Sequence, residues 1–280
     1  MLTVAGYGLR EALRRKVFVV VCVLSIGFVA LYWLGNRYTF NHVADVVPPA
    51  GIDARSFAGS FLFGLAMFGT LFLGVVLAVF LTLGVVRGDA ERGLLQPLVV
   101  RPVGRATVLV ARFLGAAAVC VPYVLGLYFA TMAITGAEGS WWPDRIVTPG
   151  LELAGGVLIV TALSLLGSVF LSSIANGIAI FMVFGAGLVA GLLGNIGHAL
   201  NSDGLVHAAK IAAWAVPFEA LYQDALRAVT ENTSGLTGFL IRLGPFGGAE
   251  QGGVTLRLWA LAYLLLVGAL AIAGFARRDL

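Results

Sequence analysis

The sequence predicts an all-α, multi-pass membrane protein, and three observations predict it. Of the 280 residues, 60% are apolar and only 11% are Asp, Glu, Lys or Arg, with a mean hydropathy of +0.97. A water-soluble domain carries about a quarter charged residues, and a chain this poor in charge would present water with an apolar surface that associates. Second, the uncharged runs are long enough to cross a bilayer, whose hydrocarbon core of about 30 Å takes roughly 20 helical residues. Third, most basic residues gather in short segments at one set of run ends. The net charge of +4 is small and dispersed, so nucleic-acid binding is not indicated.

Taken in order, residues 2–16 place Leu2, Leu9 and Leu13 on one side and Arg10, Glu11, Arg14 and Arg15 on the other. That pattern suits an interfacial helix lying under the cytoplasmic leaflet. The first span follows at about 17–34. Its basic flank imitates a secretory leader, but the apolar stretch exceeds an h-region and no small-residue cleavage site follows it. It reads as a mature span.

The second span, about 57–86, amounts to roughly 45 Å of helix and must tilt or project. The third, about 113–135, contains Pro122, which bends a helix or loosens one turn. Leu153 to Ser202 runs without a formal charge for far longer than one span needs. The segment Ser172-Ser173-Ile174-Ala175-Asn176-Gly177, whose Asn-Gly step favours a turn, breaks it and divides it into a fourth span at about 153–172 and a fifth at about 177–199. A sixth span lies at about 258–276.

Lys and Arg near span ends orient such a chain. Arg10, Arg14, Arg15 and Lys16 precede the first span, five arginines lie between Arg87 and Arg112, and Arg277 and Arg278 follow the last. The other side holds fewer, mostly in one long loop. Both termini are therefore expected in the cytoplasm. Trp33, Trp141, Trp142, Trp214 and Trp259 fall at or beyond the opposite ends of spans, where indole rings favour the membrane interface.

No span carries an ionisable residue near its centre, which weighs against a proton-coupled antiporter, a proton pump or an intramembrane aspartyl protease. Arg112, Glu152 and Arg257 sit at span ends, where long side chains reach headgroups. His42, His198 and His207 are far apart, and Cys22 and Cys120 lie singly in apolar runs, so no metal site is expected. The two lysines, Lys16 and Lys210, follow Arg and Ala instead of Gly, so the phosphate-binding loop of nucleotide hydrolases is missing. The chain is not expected to be an enzyme on its own.

The most informative stretch runs from Arg87 to Arg112. Asp89, Glu91 and Arg92 crowd its start, and Leu94, Leu95, Gln96 and Leu98 form a short amphipathic piece. Pro102 disfavours helix at Arg101 and stiffens the turn Arg101-Pro102-Val103-Gly104-Arg105. An amphipathic helix of that length suits a groove on another protein.

Here the sequence resembles the integral membrane subunits of the ABC type 2 export permeases. Glu91, Gly93-Leu94-Leu95, the Arg101 to Arg105 turn and Arg112 follow that family's pattern after the second span, with Leu94, Gly104 and Arg112 as departures. Phe275-Ala276-Arg277-Arg278-Asp279 looks like its terminus, and Arg10-Glu11-Ala12 with Arg14-Arg15-Lys16 looks like its entry helix.

The resemblance implies a coupling helix within Asp89 to Val100 that docks on a separate ATP-binding subunit, with ATP and Mg held there and Arg101, Pro102 and Arg105 anchoring the turn. It implies two permease chains with two ATP-binding subunits in the cell (inner) membrane. It also implies helices dipping back into the outer leaflet between spans five and six, here within Asp203 to Gly253. In that family the copies meet through spans two and five around a cargo path. Phe61, Phe68 and Phe72 of span two and Phe181 and Phe184 of span five are the path candidates, since aromatic side chains suit an apolar or amphipathic guest.

Gly187 and Gly191 permit close helix approach, within or between chains. Thr161, Ser164, Ser168 and Ser172 share a face of span four, expected to hydrogen-bond a neighbouring helix. A membrane scaffold that recruits a cytoplasmic partner through the same segment, and a passive channel, are the competing expectations.

Overall fold

The computed structural model describes residues 16–43, 51–83, 104–233, 235–243 and 252–277, and no strand occurs among them. Six helices are long and apolar enough to cross a membrane, the architecture of a multi-pass membrane protein. They are α1 (Lys16–His42), α2 (Ala54–Thr82), α3 (Arg105–Gly139), α4 (Thr148–Phe170), α5 (Ser173–Ala199) and α9 (Gly253–Ala276). Three shorter helices separate the last two: α6 (Asp203–Ala215), α7 (Pro217–Val229) and α8 (Gly235–Leu243). The expected interfacial helix at 2–16 lies outside the described residues.

Local chemistry fixes the helix ends. Asp53 caps α2: its carboxylate accepts from the Arg55 N–H at 3.1 Å and from the Ser56 hydroxyl at 2.6 Å. α3 is 35 residues long, about 52 Å, and stops where Ser140 turns left-handed at φ 49°. It continues through Pro122, whose missing N–H leaves the Ala118 carbonyl without its usual donor. Pro217 opens α7, where a fixed φ and a missing donor carry no penalty.

The turn between α4 and α5 is at Leu171 and Ser172, upstream of the Asn176-Gly177 step that favours one by composition. Asn176 is instead fully buried in the first turn of α5, where its Nδ2 donates to the Ser164 carbonyl at 2.9 Å. A glycine faces it: a side chain at Gly167 would begin 2.0 Å from the Asn176 Oδ1. The tertiary hydrogen bond outweighs the local turn preference.

The core centres on α2 and α4. Phe63, Met67, Leu71 and Val75 of α2 pack with Val124 and Tyr128 of α3 and with Leu153, Val157 and Val160 of α4. Gly74 allows a close approach of α2 to both neighbours, since a Cβ there would meet Val124 at 2.8 Å and Val157 at 2.9 Å. Nearer the other end of the same seam, the Thr82 hydroxyl donates to the Ser164 hydroxyl at 2.7 Å. Two members of the α4 polar face thus reach other helices, Ser164 to α2 and α5 and Thr161 to the Cys120 thiol of α3, while the Thr161 and Ser168 hydroxyls also donate to Val157 and Leu165 of their own helix.

The five tryptophans collect at one end of the bundle. Trp33 donates to Glu138 at 2.8 Å, Trp141 lies against Gly59 and Phe63, Trp142 against Gly136, and Trp259 donates to the Trp214 carbonyl at 3.0 Å. The loops at this end are tied together by Thr237 to Asp53, by Asp144 to Val229 and Asn232, and by Arg145 to Glu231.

Candidate functional site

Two regions carry the side chains that sequence reasoning singled out. Of the coupling segment, Asp89, Glu91, Arg92, Leu94, Leu95, Gln96, Arg101 and Pro102 lie outside the described residues. Arg105 opens α3, and its side chain also lies outside them. The segment joins the C-terminal end of α2 to the N-terminal end of α3, opposite the tryptophan end.

The path candidates are partly brought together. Phe68, Phe72 and Phe184 form a chain of rings with centroids 6.5 and 6.3 Å apart, and it ends on Phe218 of α7 at 5.4 Å. Phe184 is buried in this contact, Phe68 and Phe181 are half-buried, and Phe61 and Phe72 face outward. Phe61 stacks on Phe57 at 6.5 Å. Leu65 is also exposed on this stripe of α2, and Ile174, Ile178 and Met182 are exposed along α5. Between the ends of these helices Phe80, Ile178, Phe181 and Met182 help line a depression of about 510 Å³. The surface is apolar throughout and suited to an apolar occupant or a second helix pair.

The glycines of α5 settle which partner they admit. A Cβ at Gly187 would fall 2.6 Å from the Phe218 ring, and one at Gly191 would fall 1.7 Å from the Glu219 carboxylate. Gly194 and Gly197 lie against Ala209 and Leu205 of α6, less tightly, at 3.2 and 3.0 Å. The stripe seats α6 and α7 of the same chain, and the buried Glu219 carboxylate accepts from Gln223 at 2.8 Å.

The charged residues at the span ends behave differently from their expected place among headgroups. Glu152 is 5% exposed and pairs with Arg257 at 2.7 Å. Arg257 also pairs with the buried Asp224 of α7 at 3.3 Å, and the Gly252 N–H donates to Asp224 at 3.0 Å. Burial near the ends of three elements makes a direct ion pair more favourable than reaching for water. The result is a clasp joining α4, α7 and α9.

Sequence reasoning missed Asp224 and this clasp, because its members lie 105 and 33 positions apart. The available signal was two lone opposite charges, Glu152 and Arg257, at the same ends of their spans. Among the described residues, no cluster of His, Cys, Asp or Glu is arranged to hold a metal ion. No protein-family model matches the chain, and no curated protein matches it either.

Proposed function

We propose that this chain is the permease subunit of an ATP-driven exporter of the ABC type 2 class. Two copies meet across the exposed faces of α2 and α5 and enclose a path for hydrophobic or amphipathic cargo. Two copies of a separate ABC ATP-binding subunit supply the ATP and Mg chemistry and dock on the segment around Glu91, Leu94 and Leu95. The complex sits in the cell membrane with both termini of the chain in the cytoplasm, and the tryptophan end faces outward.

The observation that carries the reading is the return of α6 and α7 between the fifth and sixth spans. They fold back on α5 and α4 at the tryptophan end, while the ends of α2 and α3 that flank the motif segment in sequence lie at the other. Helices dipping into the outer leaflet opposite an inner coupling segment are what the sequence resemblance implies. Mechanically, a push on the segment between α2 and α3 reaches the centre of the bundle, because α2 is the most buried span together with α4 and close-packed interiors transmit displacement.

The test is co-expression with an ABC ATP-binding subunit and purification through a tag on this chain. The subunit is expected to co-purify with the wild type and to be lost from the Glu91→Lys, Leu95→Asp double variant. If the double variant retains the subunit and ATP-dependent transport, the coupling role is wrong.

A further inference from the structure

Glu152 and Arg257 line one depression on the flank of the bundle, between α4, α7 and α9 and separate from the α2 and α5 faces. Its volume is about 410 Å³, and Leu151, Leu158, Leu221 and Leu261 are part of its wall. A second depression of about 320 Å³ continues along the α4–α9 seam past Ala162, Leu165 and Gly268, and Leu264 lines both. From Glu152 to Leu165 the furrow follows about 20 Å of helix. It is apolar along that length and charged at one end only.

The rim is exposed: Leu151, Leu258, Leu261 and Leu265 all stand outward, the position of lipid-facing side chains on a spanning helix. The charged end sits at headgroup level, because Trp259, bonded to Trp214, is two residues from Arg257.

That charged end is incompletely satisfied. Glu152 and Asp224 both use the guanidinium of Arg257. Arg257 meets Glu152 through Oε1. Glu152 Oε2 is buried with no hydrogen-bond partner among the described residues, a costly state for a buried polar oxygen. Arg257, by contrast, is 42% exposed and offers its guanidinium outward, where it favours a phosphate. The missing occupant therefore combines an N–H-bearing cation, an adjoining anion and a hydrocarbon chain.

We propose that this furrow binds an ethanolamine-type phospholipid. Its primary ammonium donates to Glu152 Oε2, its phosphate meets Arg257, and one acyl chain lies along the α4–α9 seam towards Leu165. The site is distinct from the cargo path and needs only the membrane-spanning architecture, so it stands apart from the exporter reading.

The experiment is native mass spectrometry of the purified full chain titrated with ethanolamine, choline and glycerol phospholipids carrying identical acyl chains. The wild type is expected to hold the ethanolamine lipid about tenfold more tightly than the choline lipid, whose quaternary ammonium has no N–H to donate. Glu152→Gln should bring the two within about twofold. Because Glu152→Gln also strips Arg257 of a partner, Gly155→Leu is the second variant. A Cβ at Gly155 meets only Leu221, at 3.5 Å, so the larger side chain fills the furrow and leaves the clasp intact. It is expected to lose about tenfold in ethanolamine-lipid binding at unchanged thermal stability. Equal binding of all three lipids by the wild type, as a proton held between Glu152 and Asp224 would give, overturns the proposal. So does undiminished ethanolamine preference in Gly155→Leu.

Discussion

α4 and α5 come almost wholly from one uncharged run of sequence and share a mean hydropathy of 2.2 over their apolar stretches, yet 67% of that stretch of α4 is buried inside the bundle against 22% in α5. Lipid is as apolar as leucine, so hydropathy places a helix in the membrane without choosing its neighbours. Groups that lipid cannot satisfy make that choice. α4 carries Glu152, Thr161, Ser164 and Ser168, all buried, and each finds a partner in protein. α5 turns Ile174, Ile178, Met182 and Val189 outward and buries chiefly the glycine stripe that seats α6 and α7.

The comparison can be broken most severely at that stripe. Gly191→Leu drives a side chain into Glu219 and should cost about 3 kcal/mol or prevent folding, read as a loss of monodisperse protein on fluorescence size exclusion. Gly185→Leu, one and a half turns away with nothing within 4 Å, should stay within about 0.5 kcal/mol of the wild type. Equal damage at the two positions would mean that α6 and α7 do not seat on α5 as described. Next in size is Asn176→Ala, which strips the Ser164 carbonyl of its donor across the α4–α5 turn and should cost about 2 kcal/mol in a detergent melt.

Smaller effects sharpen the contrast with the polar rim. Asp53→Ala removes the α2 cap at a cost of about 1 kcal/mol. The Ser56 hydroxyl bond, ahead of the Arg55 N–H and charge, holds the Asp53 carboxyl below the usual carboxylate range. Its stabilisation is therefore present above the ordinary Asp value and lost as pH falls through the lowered one. An acid titration of melting temperature should show this component in the wild type and its absence in Asp53→Ala. Smallest is Thr82→Val, which deletes the bond to Ser164 and should cost about 0.6 kcal/mol, the usual worth of such a contact in a membrane.

The six spans were legible because a bilayer imposes a length and a polarity that composition must satisfy. Their ends were less so. α1 continues past Leu34 to His42 and α3 begins at Arg105, since a helix does not stop where hydrocarbon stops. The break between α4 and α5 was legible in the segment 172–177, and the turn falls at its start; the Asn176-Gly177 step within it is helical instead because the Asn side chain bonds across to α4, a contact beyond any local window. The boundary between α6 and α7 falls at Pro217, where proline at a helix start acts through its own φ alone. The clasp of Glu152, Asp224 and Arg257 is a product of tertiary packing, and only its unpaired charges hinted at it. The aromatic candidates were recognisable by type, but which of them face outward followed from the packing of α2 on α3 and α4.

The most direct test of the central claim is a photo-crosslinking residue placed at Leu95 in the full chain, co-expressed in cells with an ABC ATP-binding subunit. The account predicts a covalent adduct between the two proteins that weakens when Glu91 is changed to Lys. A wild-type Leu95 position that labels from the exterior, or that yields no adduct while both proteins are present in the membrane fraction, would contradict it.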